Sequence, residues 1–179
     1  MIYVALLRGI NVGGHNKIKM AELKDAIEAV GLNGVQTYIQ SGNVIFETSD
    51  RELVSLRVLL EQVILERFGM NVPVVLREAH AFTRLVRDCP FRVKDVKNDL
   101  VHVAFLQSKA SVEAMAKLEQ FESDVDEYRL DGKDIYLLLR EGVRNSKLLN
   151  QLSKIGIPVT VRNWKTVNKL VDMVEGRIS

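Results

Sequence analysis

The chain has 179 residues, and its 25 Lys and Arg against 23 Asp and Glu give a formal net charge of +2. Hydrophobic residues make up 47% and charged residues 27% of the sequence, which excludes a chain that is disordered throughout. One cysteine excludes a disulfide scaffold and a zinc site with two or more thiolates, and the weak net charge disfavours a dedicated polyanion binder.

The cellular location follows from three sequence features. No stretch approaches the roughly 20 apolar residues that a membrane helix needs. The start, Met1–Arg8, has a short apolar run without a basic lead, unlike a secretory signal. The lone Cys89 fits a reducing compartment. We therefore expect a cytoplasmic protein with no membrane partner.

The first half of the chain predicts seven elements in order. Short apolar runs predict strands, and apolar residues spaced three to four apart predict helices. These elements are a strand at 2–7, a helix at 20–31, strands at 35–39 and 44–47, a helix at 53–68, a strand at 73–77 and a helix at 79–88. Residues 40–43 form a hairpin turn between the two central strands, and residues 49–52 read as a capping box for the long helix.

The second half predicts the same seven elements. They are a strand at 101–106, a helix at 111–121, strands at 128–130 and 135–139, a helix at 146–155, a strand at 158–162 and a helix at 164–175. The strongest local match pairs Val72–Arg77 (VPVVLR) with Ile157–Arg162 (IPVTVR). Seven elements in the same order predict an internal duplication.

Each predicted repeat begins with the β-α-β-β-α-β order of a ferredoxin-like unit. We therefore predict an α+β fold made of two tandem ferredoxin-like units, each with an extra C-terminal helix. The first unit spans residues 1–90 and the second residues 91–179, packed as one compact body. The charged stretch near 90–99 reads as the linker.

The two predicted repeats carry different loops. Residues 8–19 follow the first strand and are rich in Gly, Asn and basic side chains, whereas their counterpart at 107–110 is short. Right-handed crossovers place the long loop and the 40–43 hairpin at the same end of the first sheet. If the two sheets join edge to edge about a pseudo-two-fold axis, residues 144–147 and 162–166 face the same cleft between the repeats.

This arrangement predicts a ligand site for an anion. Arg8 and Arg162 would supply charge, the backbone of residues 11–14 would cradle the anion, and the 40–43 hairpin would set polar specificity. The predicted ligand-binding residues are Arg8, Asn11, Gly13, Gly14, Lys17, Gln40, Ser41, Asn43, Arg144, Ser146, Arg162 and Asn163. The segment lacks the G-x-G-x-x-G and P-loop patterns, and the sequence predicts no metal site and no cofactor.

Several segments resemble one bacterial family. The segments Leu7–Gly14 (LRGINVGG), Thr37–Val44 (TYIQSGNV), Ser146–Leu148 and Arg162–Leu170 look like the family catalogued as domain of unknown function 1697. The resemblance covers nearly the whole chain and implies a cytosolic protein with tandem ferredoxin-like halves and no established activity. The matching motif positions are Arg8, Gly9, Asn11, Gly13, Gly14, Gln40, Ser41, Gly42, Asn43, Ser146, Arg162, Asn163 and Trp164. His15 departs from the pattern, where we expect a basic residue.

We expect the protein to bind a small anionic ligand in the cleft between the repeats. A nucleotide, a nucleic-acid phosphate or a phosphorylated metabolite fits this chemistry, and nucleic acid is the less favoured partner because only 6% of the residues are aromatic. One alternative is a metal-independent enzyme in which Ser41, His15 or Lys17 carries protons. A second alternative is a structural or self-association module. The sequence assigns neither catalytic residues nor an oligomeric state.

Overall fold

The computed structural model describes residues 1–49, 52–91, 97–121 and 123–179. The chain forms two compact units, one of Met1–Leu85 together with Leu170–Ser179 and the other of Val86–Lys169. Each unit contains one four-stranded antiparallel sheet. The predicted α+β fold with two ferredoxin-like units is confirmed.

The first unit has the predicted order of elements. These are β1 (Ile2–Leu7), α1 (Met20–Ala29), β2 (Asn33–Tyr38), β3 (Asn43–Glu47), α2 (Leu53–Phe68), β4 (Val74–Glu78) and α3 (Ala79–Arg87). The sheet order is β2-β3-β1-β4, with β1 antiparallel to both of its neighbours. The end of β1, the β2–β3 hairpin and the start of β4 therefore lie at one end of the sheet.

The core of the first unit follows from strand alternation. Tyr3, Ala5 and Leu7 lie two residues apart and are buried on one face of β1, because side chains alternate between the faces of a strand. The Tyr3 ring stacks on Phe46 of β3, with the ring centroids 5.6 Å apart. The apolar faces of α1 and α2 cover this side of the sheet.

The second unit repeats this plan. Its elements are β5 (Val101–Leu106), α4 (Val112–Glu119), β6 (Glu127–Asp131), β7 (Asp134–Leu138), α5 (Lys147–Leu152), β8 (Val159–Asn163) and α6 (Trp164–Ile178). The sheet order is β6-β7-β5-β8, the counterpart of the first sheet. Its core includes Ala104 and Leu106 of β5, packed with Leu118 and Leu148 from the helices.

The duplication extends to individual hydrogen bonds. At the end of β1, the Leu7 N–H donates to the Gly42 carbonyl at 2.8 Å. At the end of β5, the Leu106 N–H donates to the Lys133 carbonyl at 2.9 Å. The next N–H in each unit donates to the proline carbonyl that precedes the fourth strand, at 3.0 Å in both cases. The long and the short loop thus leave their sheets from equivalent anchors.

Several element boundaries differ from the sequence predictions by one to three residues, among them the start of β2 at Asn33 and the end of α5 at Leu152. Helix α2 begins at Leu53 with Glu52 as its N-cap and no side-chain cap, so a capping box with Ser49 as the N-cap is wrong; Asp50 and Arg51 lie outside the described residues. The last helix runs to Ile178 rather than ending at residue 175.

The unit boundaries also differ from the expected division. Residues 170–179 belong to the first unit, although we expected them in the second. Within that unit, Arg177 donates to Glu47 Oε1 at 3.2 Å and to Gln36 Oε1 at 2.7 Å. The predicted linker lies partly outside the described residues, which lack 92–96. The packing of the two units as one compact body stays a prediction.

No helix in the described part of the chain combines the length and the apolar character needed to cross a membrane.

Candidate functional site

The Gly-rich loop of the first unit is a small hairpin that projects into solvent. The His15 N–H donates to the Val12 carbonyl at 2.9 Å, and the Asn11 N–H donates to the Asn16 carbonyl at 3.1 Å. Between them, Gly13 and Gly14 have φ angles of 56° and 79°. Positive φ at both central positions is the requirement of a type I′ turn, which glycine meets without a steric cost. The glycines therefore reverse the chain at an exposed tip.

The Asn11 side chain fixes the base of this hairpin. Its Oδ1 accepts from the Ile18 N–H at 2.9 Å, and its Nδ2 donates to the Ile18 carbonyl at 3.0 Å. Nδ2 also donates to the Gln40 carbonyl at 2.8 Å. This last bond confirms the prediction that the long loop and the 40–43 hairpin lie at the same end of the sheet. The Asn11 amide therefore holds the loop and the hairpin together.

The 40–43 hairpin is held by close packing. Asn43 is fully buried, and its Nδ2 donates to the Tyr38 carbonyl at 2.9 Å and to Ser41 Oγ at 3.0 Å. Gly42 has φ +88°, and a Cβ built there would lie 2.8 Å from the Leu7 Cβ. The backbone of the hairpin therefore approaches β1 as closely as glycine allows. Of the predicted residues here, Gln40 is exposed and Asn43 is buried.

The basic side chains of the loop are free to face solvent. Arg8, Lys17 and Lys19 are exposed. The ion pairs within 4.0 Å among the described residues involve none of these three. Exposed cations without an acidic partner keep their full charge available for a ligand.

Lys17 and Lys19 border a groove of about 750 Å³ at the start of α1, whereas Arg8, which was predicted to supply charge, does not line it. The groove is lined by Asn11, Gly14, Lys17, Ile18, Lys19, Met20, Ala21, Glu22 and Gln40. Its volume lies within the range of about 300–1,000 Å³ that is typical of small-molecule sites. Asn11, Gly14, Lys17 and Gln40 were predicted from the sequence.

The groove contains the N-terminus of α1. The N-cap residue of α1 is Lys19, which provides no side-chain cap for the first turn. The first N–H groups of a helix have no partner within the helix, and the helix dipole attracts negative charge there. In the second unit, Ser111 fills this position, and its Oγ accepts from the Ala114 N–H at 3.1 Å.

The list of predicted ligand-binding residues lacks five lining residues, namely Ile18, Lys19, Met20, Ala21 and Glu22, although Lys19 was counted among the basic side chains of the loop. They follow the loop directly and form the entry and first turn of α1. The apolar spacing of the predicted helix at 20–31 indicated core packing for Met20, and both Ile18 and Met20 are buried. The position of these residues in the sequence could have identified them, because a helix start that follows a long loop presents both backbone N–H groups and side chains to that loop.

In the second unit, Ser146 has an architectural role. Its Oγ accepts from the Leu149 N–H at 3.1 Å, which caps α5, and it donates to Asp126 Oδ2 at 2.7 Å. The other oxygen of Asp126 accepts from the Arg140 N–H at 3.1 Å. Arg144 and Ser146 line a second groove of about 600 Å³.

Arg162 and Asn163 line neither of these two grooves. Arg162 is buried, and its Nη1 donates to Thr160 Oγ1 at 2.7 Å and to the Val161 carbonyl at 3.1 Å. Burial lowers the pKa of the Arg162 guanidinium to about 10. Asn163 Oδ1 accepts from the Thr166 N–H at 2.8 Å and so caps α6. The shared cleft between the repeats stays a prediction.

Within the described ranges, no three His, Cys, Asp or Glu side chains come together in a way that could hold a metal ion.

The chain is similar to proteins that have no assigned activity. A family model described as "Protein of unknown function (DUF1697)" matches residues 1–136. The solved structure of the conserved bacterial protein SP0830 from Streptococcus pneumoniae superimposes with a TM-score of 0.78 at 27% identity, over 97% of this chain and 98% of that chain. The structure of TA0507, a candidate chlorite dismutase, covers 97% of this chain and 99% of that chain at 11% identity, and its TM-score of 0.26 is too low to indicate a shared fold. No curated protein has significant sequence similarity to this chain.

Proposed function

Because this chain belongs to the DUF1697 family of proteins of unknown function, we propose a function from the site itself: the first unit binds a small phosphorylated ligand in the groove at the start of α1. The observation that carries the proposal is the groove's combination of unpaired charge and open backbone donors. Lys17 and Lys19 line it without an acidic partner among the described residues, and no side chain caps the first turn of α1.

Each of these features favours an anion for a separate physical reason. A hydrogen bond from an ammonium group to a phosphate oxygen is charge-assisted and stronger than a neutral one. The uncapped N–H groups of the first turn add donors and a positive potential at the same place. The amide side chain of Gln40 supplies a donor and an acceptor that carry no charge.

The Asn11 clamp supports the proposal because it makes the site rigid. Asn11 fixes Ile18, which lies between the two lysines in sequence, and the backbone of Gln40, which also lines the groove. A site whose supports are already hydrogen-bonded loses less conformational entropy when a ligand binds. A phosphorylated ligand also fits the cytoplasmic location expected from the unpaired Cys89.

The test is a thermal-shift screen of nucleotides, phosphorylated metabolites and inorganic tripolyphosphate, followed by calorimetric titration of each hit. A ligand that binds only the folded state raises the melting temperature by mass action. We expect the double variant Lys17→Gln/Lys19→Gln to bind tripolyphosphate at least about tenfold more weakly, since each lost charge-assisted hydrogen bond contributes roughly 1.5–3 kcal/mol.

A matched control removes two positive charges elsewhere. Lys24 lies on α1 outside the groove, in an exposed pair with Glu28 at 3.8 Å, and Lys109 lies in the short loop of the second unit. The variant Lys24→Gln/Lys109→Gln should bind like the wild type. Equal weakening in both double variants would mean that tripolyphosphate responds only to net charge, and the proposal would be wrong.

A further inference from the structure

The groove contains one side chain that an anion alone does not explain. Glu22 lies in the first turn of α1 and lines the same groove as Lys17 and Lys19. It is exposed and forms none of the ion pairs within 4.0 Å that the described residues make. A free carboxylate in the groove repels a ligand that consists only of negatively charged oxygens.

A carboxylate accepts hydrogen bonds and donates none at neutral pH. A ligand that forms a hydrogen bond to Glu22 must therefore carry hydroxyl or amino donors on a part of the molecule away from its phosphate. Nucleotides have both features, since the ribose carries hydroxyl groups and several bases carry an exocyclic amine. Inorganic phosphates have no donors outside their phosphate groups.

The wall of the groove points to the same class of ligand. Ala21 contributes exposed apolar surface between Lys19 and Glu22 along the chain, and the buried Ile18 and Met20 reach the groove with only a small part of their surface. An apolar wall gains free energy from a flat, weakly hydrated group such as a nucleobase and gains little from a sugar or a bare phosphate. Gln40, which also lines the groove, offers a side-chain amide that can pair with the edge of a base.

We infer that the ligand of this groove is a nucleotide, held by Lys17 and Lys19 at its phosphates and by Glu22 at the hydroxyl or amino groups of its nucleoside. The inference rests on the proposed function and narrows its ligand class. The groove volume of about 750 Å³ accommodates a molecule of this size.

Glu22 also has a simpler effect on the helix. An acidic residue in the first turn stabilises the helix through the dipole whether or not a ligand binds. The experiment therefore compares two ligands on the same variant, so that any change in helix stability affects both titrations equally.

The experiment is calorimetric titration of ATP and of inorganic tripolyphosphate in magnesium-free buffer. The two ligands carry the same number of phosphorus atoms and differ in the nucleoside. We expect the wild type to prefer ATP. In Glu22→Gln the ratio of ATP affinity to tripolyphosphate affinity should fall about fivefold or more, because a hydrogen bond to a charged acceptor is stronger than one to an amide.

The control variant is Asp25→Asn, which removes one negative charge from an exposed position of α1 outside the groove. Its affinity ratio should equal that of the wild type. An unchanged ratio in Glu22→Gln, or a wild type that binds tripolyphosphate as tightly as ATP, would overturn the nucleotide assignment.

The two proposals fail in different ways. If tripolyphosphate binds and the binding depends on Lys17 and Lys19, while Glu22→Gln leaves the ratio unchanged, the anion site stands and the nucleotide assignment is wrong. If neither ligand binds to the wild type, the anion site itself is wrong.

Discussion

The loops after β1 and β5 occupy the same place in two copies of one fold, yet they end in different ways. Both start from equivalent hydrogen bonds to the sheet. The second-unit loop is short and ends at Ser111, which caps its own helix at 3.1 Å. The first-unit loop forms a hairpin, brings exposed lysines to the helix start and leaves that start uncapped. The duplicated scaffold therefore presents an uncapped helix start beside exposed lysines in the first unit and a helix start capped by Ser111 in the second.

The comparison also separates two kinds of motif residue in the first unit. Asn11 and Asn43 form hydrogen bonds within the fold, and Gly42 allows the hairpin to pack closely against Leu7 and Ile10. Lys17 and Gln40 line the groove. We therefore expect changes in the first group to act on stability and changes in the second to act on binding.

The largest expected effect comes from Gly42→Ala in the first-unit hairpin. A Cβ there would lie 2.7 Å from Ile10 Cδ1 and 2.8 Å from Leu7 Cβ, and the residue has φ +88°. Overpacking and a left-handed backbone each cost about 1–3 kcal/mol. We expect a loss of about 3 kcal/mol or more in the free energy of unfolding, measured by urea titration.

The matched change in the second unit is Gly132→Ala. Gly132 also has a positive φ, +62°, but a Cβ there meets no heavy atom within 4 Å. Only the cost of placing alanine in a left-handed backbone conformation remains, so we expect a loss of about 1 kcal/mol in the free energy of unfolding. Equal losses in the two variants would show that close packing against β1 does not distinguish the two hairpins.

The next largest effect is expected for Asn11→Ala. The variant loses hydrogen bonds to both backbone groups of Ile18 and to the Gln40 carbonyl. At a net value of about 1 kcal/mol for each bond, with partial replacement by water, we expect about 2 kcal/mol of destabilisation. Because the lysines lose their fixed positions, tripolyphosphate affinity should also fall in calorimetric titration.

Ser111→Ala tests the same position in the second unit. Loss of an N-cap typically costs about 1 kcal/mol. We expect this destabilisation with tripolyphosphate binding unchanged, since the short loop borders no part of the groove. A loss of binding as large as that of Asn11→Ala would place the ligand away from the first-unit groove.

The smallest effect concerns the central strands, where His102 of β5 corresponds to Tyr3 of β1. Burial lowers the pKa of His102, against smaller opposing effects of the Leu100 carbonyl and Asp99. The folded state therefore binds fewer protons than the unfolded state below the unfolded pKa of about 6.5. This contribution to stability is complete above that pH and is lost as the pH falls through 6.5 toward the lower folded pKa.

The variant His102→Gln should lose less stability than the wild type when the pH is lowered from 7 to 5, as measured by urea unfolding at each pH. Parallel stability curves for the two proteins would show that His102 does not contribute to the acid sensitivity of the second unit.

The sequence predicted the scaffold well because periodicity and turn residues are local signals. The bounds of β1 and β5 agree with the prediction, and Gly69 ends α2 with a φ of +68°. The duplication strengthened every assignment, since a match in the other half supported each element. The end of α6 was harder to predict, because the Arg177 contacts with Glu47 and Gln36 join residues more than a hundred positions apart.

The candidate site was predicted only in part, because residue type does not reveal burial. Asn43 and Arg162 read as polar ligand residues, but strand register turns both side chains inward. Conversely, Glu22 lines the groove although the spacing of α1 identified only its packed apolar face. Whether a polar side chain forms hydrogen bonds within the fold or faces a groove depends on tertiary contacts that a single sequence does not encode locally.

The most direct test of the central claim is NMR mapping of tripolyphosphate binding on the full chain. We predict saturable amide shift changes at Lys17–Glu22 and at Gln40, with none at the counterpart residues Gln107–Glu113. The same titration of Lys17→Gln/Lys19→Gln should show these changes only at higher ligand concentration. Shift changes that concentrate at Gln107–Glu113, or at the Arg144–Asn150 groove, would contradict the account.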